Sequence, residues 1–191
     1  MKGGELNISY YRNQLETYLQ DIEIECDRVL DIGSGDNLAK ERVQAIKCNK
    51  YITLDIDGKH NPIHIGDLNR PINIAEEQFD IIFCLEVFEY IWNPVQAHQT
   101  IYKLLKKGGT AYISYPFIYP IHNPPKIDYL RYTREGIDKL LEIANFKYWV
   151  ISSRTATKGK DSLYVFYKEE GMHPRKGYSH AEIGYIAEIS K

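Results

Sequence analysis

Hydrophobic and polar positions along the chain switch between strand-like runs and helix-like spacing. Val29, Leu30 and Ile32 make residues 28–33 a candidate buried strand. Tyr51 to Ile56 is a second apolar run, ending on acids. Phe79 to Leu85 (Phe-Asp-Ile-Ile-Phe-Cys-Leu) is nearly continuous, as a buried parallel strand requires. Thr110 to Tyr115 gives a further strand. The intervening pattern predicts helices over 6–21, 37–46 and 94–106, the last stopped by Gly108 and Gly109. A loop rich in Pro and Tyr spans 116–132, and Thr133 is placed to cap a helix running to about Asn145. Phe146–Ser152 and Leu163–Tyr167 predict a closing strand pair joined through Gly159, and 180–189 a short amphipathic helix. The order predicts a doubly wound α/β sheet, mostly parallel with an antiparallel last strand and helices on both faces. Its ligand would sit at the carboxyl ends of the strands.

Composition narrows the class. The 191 residues predict an N-terminal helical segment over 1–27, one ligand-binding domain over 28–168 and a polar tail over 169–191. Hydrophobic content of 43% and charged content of 26% are those of a globular chain. A formal net charge of −2 offers no basic footprint for nucleic acid. No stretch could span a membrane, and Met1 to Leu19 has no apolar signal core. Cys26, Cys48 and Cys84 are odd in number and lack metal-ligand spacing, which fits a reducing cytoplasm better than a disulfide framework. Pro62 opposes a helical metal pair of His60 and His64, so no metal is expected. The oligomeric state is left open, a homodimer included.

Arg28 to Asn37 is the most informative stretch. Gly33 and Gly35 put no side chain at two turn positions, so a ligand can approach the backbone, and a following helix would present free N–H groups. Leu38 stands where the Gly-x-Gly-x-x-Gly fingerprint needs its third glycine. Asp31 lies two residues before Gly33. An acid beside the turn suits a cationic ligand better than a pyrophosphate. S-adenosylmethionine (SAM), with its ammonium and sulfonium, is such a ligand.

Five stations in order carry a resemblance. They are Val-Leu-Asp-Ile-Gly-Ser-Gly (29–35), Tyr-Ile-Thr-Leu-Asp-Ile-Asp (51–57), Gly-Asp-Leu (66–68), Phe-Asp-Ile-Ile-Phe-Cys-Leu-Glu-Val-Phe-Glu-Tyr-Ile (79–91) and Leu-Leu-Lys-Lys-Gly-Gly-Thr (104–110). Over about residues 28–168 the chain resembles class I SAM-dependent methyltransferases, nearest the type 11 branch. The resemblance implies a Rossmann-like fold and methyl transfer to a small-molecule acceptor such as a sugar, a lipid-linked compound or a secondary metabolite. It implies that Asp55 accepts from both ribose hydroxyls, since carboxylate oxygens are acceptors only, with Asp57 the competing acid. Gly33 and Gly35, beside Asp31, would pass the methionine moiety. Asp67 would accept from the adenine amino group, with Leu68 and Ile56 on the two sides of the ring. Cys84 and Leu85 would flank the sulfonium, Cys84 as a buried thiol. Asn37 departs from a third family glycine, and Tyr90 replaces the His that follows this Glu in many members.

On the acceptor side, alignment of nucleophile and methyl supplies much of the acceleration, roughly 7–11 kcal/mol in favourable cases. An oxygen nucleophile still benefits from a base. His122 is the candidate catalytic base. Tyr115, Tyr119, Tyr129, Arg131 and Tyr132 are expected to wall the acceptor site, with Arg131 suited either to an acceptor anion or to Asp128. Tyr10 and Tyr11 either close over the cofactor or pack. Asn123-Pro124-Pro125 is similar to a DNA-methyltransferase motif, but it follows the fifth strand and continues with Lys126. Two other readings stay open. One is an NAD-dependent oxidoreductase, since Asp55 follows the turn by about 20 residues. The other is a SAM-binding regulatory or partner protein without catalysis.

Overall fold

The computed structural model describes residues 10–118, 121, 127–155 and 182–191, with Tyr10 and Tyr11 as backbone. In chain order the elements are α1 (Tyr10–Leu19), β1 (Glu23–Ile32), β2 (Ala45–Asp55), β3 (His64–Ile65), β4 (Phe79–Cys84), α2 (Pro94–Leu104), β5 (Leu105–Pro116), α3 (Arg134–Ile143), β6 (Tyr148–Thr155) and β7 (Glu182–Ser190). They form one sheet in the order β3-β2-β1-β4-β5-β7-β6. β1 to β5 pair in parallel, and β7 runs antiparallel to both β5 and β6. This is the Rossmann-like sheet that the sequence predicts.

Side-chain alternation along the strands builds a core on each face. Leu30, Ile32, Ile82, Cys84 and Ile113 pack with Ile101 and Leu104 of α2 and Leu141 of α3. Their sequence neighbours Val29, Phe83 and Tyr112 pack with Leu15 and Leu19 of α1 on the other face. Asn93 caps α2, with Pro94 in its first turn. Thr133 caps α3 as expected, its Oγ1 accepting the Gly136 N–H at 3.1 Å. Asn145, with φ of 72°, lies just past that helix.

Several boundaries differ from the sequence reading. Residues 37–46 are not an α-helix. A single 3-10 turn, Ala39–Glu41, precedes a β2 that begins at Ala45 because it extends the parallel pairing back to Glu23. α2 ends at Leu104, and β5 starts at once. Gly108, with φ of +76°, lies where the β4–β5 register shifts. The helix expected over 180–189 is instead β7, inserted between β5 and β6. Leu163–Tyr167 lies outside the described residues, and the partner of β6 is β7. Among the described residues no helix is long and apolar enough to cross a membrane.

Candidate active site

The strand order reverses direction between β1 and β4, and a crevice at that switch point is where open α/β sheets bind ligands. The Gly33–Asn37 turn follows β1 at that point. The Gly33 N–H donates to Leu54 O at 2.7 Å and the Asn37 N–H to Ser34 O at 2.9 Å. Gly33 and Gly35 have φ of +67° and +54°, a region costly for other residues. A Cβ on Gly33 would also lie 2.5 Å from Val87 Cγ2. The turn is therefore held against the segment that follows β4.

A cavity of about 330 Å³ opens beside the turn, with Ser34, Gly35, Asp36, Asp55 and His60 in its lining. Asp55, the last residue of β2, accepts the Gly35 N–H on Oδ2 at 3.2 Å and the Asp57 N–H on Oδ1 at 2.9 Å. Each oxygen keeps a lone pair for a ligand hydroxyl. Asp57 instead accepts the Lys59 N–H and caps the turn Gly58–His60. His60 Nδ1 lies 3.0 Å from Asp36 Oδ1, and that bond raises the imidazole pKa. His64 lies in β3.

Asp31 does not face the cavity. It is 2% exposed, and its Oδ2 takes the Ala39 N–H at 2.7 Å and the Tyr51 hydroxyl at 2.6 Å. Burial pushes its carboxyl above the usual range. Its place is under the turn, tying residues 33–39 to β1 and β2. Leu68 is likewise turned into the core. Asp67 is half-buried, with Oδ1 taking both the backbone and side-chain N–H of Asn69, and Ile56 is exposed. Cys84 and Leu85 are buried on opposite faces at the end of β4.

The aromatic wall expected on the acceptor side is partly core. Tyr115 is fully buried, its hydroxyl bonded to His98 Nε2 at 2.8 Å. Tyr132 donates to Phe88 O at 3.0 Å, and both rings pack on Phe88. Burial drives the His98 imidazole down to about 4. With Nδ1 against Pro94 O at 2.6 Å, its Nε2 is the acceptor. Arg131 pairs with Asp128 at 2.6 Å. Tyr129 is exposed, and its N–H bonds Glu89 O at 2.7 Å. His122 and Tyr119 lie outside the described residues.

The sequence reading missed a polar cluster beyond β4. Glu86, held at φ +57°, accepts from Ser114 Oγ at 3.0 Å and from Arg154 Nη1 at 3.0 Å. Arg154 Nη2 reaches Tyr115 O at 3.2 Å, over Gly184, whose missing Cβ leaves the room. Glu89 lies beside them, 2% exposed. The one signal in the sequence is two acids in an otherwise apolar run, Leu85 to Ile91. Arg154 is 68 positions from Glu86 and joins it only through the fold.

Known proteins match this arrangement. A family model described as a methyltransferase domain matches residues 8–153. A ubiquinone biosynthesis O-methyltransferase of Dechloromonas aromatica is 28% identical, over 50% of this chain and 47% of that protein. The chain spans about half the length of the curated relatives it matches. The S-adenosylmethionine-dependent methyltransferase of Mesorhizobium loti superposes with a TM-score of 0.64 at 13% identity, covering 94% of this chain and 97% of that one. Phosphoethanolamine N-methyltransferase 2 of Haemonchus contortus, solved with SAM, gives 0.59 at 13% identity, covering 95% and 52%. At these identities the solved structures establish a shared fold.

Proposed function

This chain belongs to the methyltransferase-domain family of class I SAM-dependent methyltransferases, and from that premise we propose that it transfers a methyl group from SAM to an oxygen of a small-molecule acceptor. The observation that carries the reading is Asp55 in one cavity wall with the bare Gly33–Gly35 turn. An acid with spare lone pairs suits two ribose hydroxyls, and the turn admits a ligand against the backbone. SAM would supply an electrophilic methyl on a sulfonium. Asp67 and Ile56 are the adenine-side candidates. Asp31 acts through the turn, and Cys84 and Leu85, at the end of β4, are the candidates for the sulfonium side. The relatives named as O-methyltransferases support an oxygen acceptor.

A dinucleotide is disfavoured by the same turn. No α-helix follows it to offer free N–H groups to a pyrophosphate, and the Ala39 N–H is already bonded to Asp31. The free cysteines agree with a cytoplasmic setting. The test is a screen of hydroxylated sugars, phenols and lipid headgroup analogues with methyl-labelled SAM. The expected result is a labelled product with stoichiometric S-adenosylhomocysteine (SAH). SAM binding with no transfer to any acceptor would favour the non-catalytic, regulatory reading.

A further inference from the structure

The cavity beside Gly35 holds a second polar group, supplied by the connection between β2 and β3. His60 ends the 3-10 turn Gly58–His60 and lines the same cavity as Gly35 and Asp55. Its ring stands against the glycine turn. A Cβ on Gly35 would lie 3.8 Å from His60 Cε1 and Nε2 and 3.9 Å from Nδ1. The bare backbone of Gly35 therefore meets the nitrogen-bearing edge of the imidazole with no side chain between them.

A run of hydrogen bonds fixes that position. Asp55 Oδ1 accepts the Asp57 N–H at 2.9 Å, and Asp57 Oδ1 accepts the Lys59 N–H at 3.0 Å. Asn61 takes a left-handed φ of 50°, and its N–H closes the turn on Gly58 O at 3.1 Å. The acid that ends β2 thus helps set where His60 stands. From the other side, Asp36 Oδ1 lies 3.0 Å from His60 Nδ1. An ionised carboxylate only accepts, so Nδ1 carries a proton and Nε2 is left for a ligand. Among the described residues no hydrogen bond reaches Nε2, and 34% of the side chain is exposed.

Stability does not call for this arrangement. The Asp36 side chain is 85% exposed, and ion pairs so open to water contribute little to folding. What the pair does is orient an imidazole in a cavity wall. The charges that face the ring, Asp36, Asp55 and Asp57, all favour its protonated form, in which Nε2 donates. Asp55 accepts. A hydroxyl between the two can serve both, its proton going to Asp55 and its oxygen accepting from Nε2.

We propose that His60 is a ligand-binding residue of the cofactor site, its Nε2 donating to a ribose hydroxyl whose own proton goes to Asp55. The inference rests on the methyltransferase reading above and adds a second group that recognises the same sugar.

The test is calorimetry with SAH and its 2′-deoxy and 3′-deoxy analogues, on the wild-type protein and on His60→Ala. His60→Ala should weaken SAH binding about tenfold, the loss of one charge-assisted hydrogen bond. With the analogue that lacks the bridging hydroxyl, the same substitution should change affinity less than about twofold. With the other analogue the roughly tenfold loss should return. A ring that only held the turn in place would weaken all three ligands alike. Unchanged SAH affinity in His60→Ala, or a loss of the same size with both deoxy analogues, overturns the inference and leaves the methyltransferase reading standing. Failure of the wild-type protein to bind SAH overturns that reading, and the inference with it.

Discussion

The Gly35 N–H donates to Asp55 Oδ2 at 3.2 Å, so the glycine turn after β1 and the acid ending β2 are one unit. Parallel pairing of β1 with β2 sets their distance, and the positive φ of Gly35 aims its N–H at the carboxylate. A ligand that bonds Asp55 must lie against the turn.

Asp55→Ala should therefore weaken SAM binding by roughly 2–3 kcal/mol, the scale of charge-assisted hydrogen bonds. Asp57→Ala should cost far less, because Asp57 caps the turn at Gly58–His60. Calorimetric titration of both variants decides between the two acids, and the reverse order would give the ribose to Asp57.

Gly33→Ala should destabilise the protein by roughly 1–3 kcal/mol, through its φ of +67° and the crowding of Val87. Val87→Ala in the same chain should recover the crowding part and leave the backbone part. Denaturant unfolding of the single and double variants measures both. Full stability of Gly33→Ala would mean the turn relaxes freely.

How legible was this molecule in its sequence? β4 stood out because a strand buried on both faces is a continuous apolar run. The turn at Gly33 and Gly35 and the end of β2 at Asp55 were readable because local backbone chemistry sets both. The helix expected over 37–46 failed because pairing back to Glu23 draws Ala45 into β2 and leaves room for one turn. β7 was misread because its acids, Glu182 and Glu188, interrupt the apolar run, and its conformation is set by β5 and β6 on either side. Tyr115 and Tyr132 looked like ligand contacts, but a tyrosine hydroxyl can be satisfied in the core, here by His98 and Phe88 O. Glu86 and Arg154 were invisible as a pair because they meet only in three dimensions.

His98 makes stability depend on acid. The unfolded imidazole binds a proton near pH 6.5, and the buried ring holds out to about 4. Its contribution is complete above pH 6.5 and is lost as pH falls from there toward 4, roughly 3 kcal/mol in all. Thermal melting between these limits should show the loss, and His98→Gln should be less stable but flatter. An equal slope in His98→Gln would place the effect on other groups.

Arg131→Ala and Tyr129→Ala should separate packing from acceptor contact. Arg131 is held by Asp128, so its loss should lower stability by roughly 1.5–3 kcal/mol. Tyr129 is 52% exposed, so Tyr129→Ala should leave melting unchanged and lower transfer to the true acceptor at constant SAM affinity. Unchanged transfer in Tyr129→Ala would remove that ring from the acceptor wall.

The cavity beside Gly35 and Asp55 is expected to take SAM. Isothermal titration of the wild-type protein with SAM, SAH and NAD in turn tests it most directly. One saturable site is expected for SAM and for SAH, and no binding heat with NAD. Saturable binding of NAD with none for SAM or SAH would contradict it.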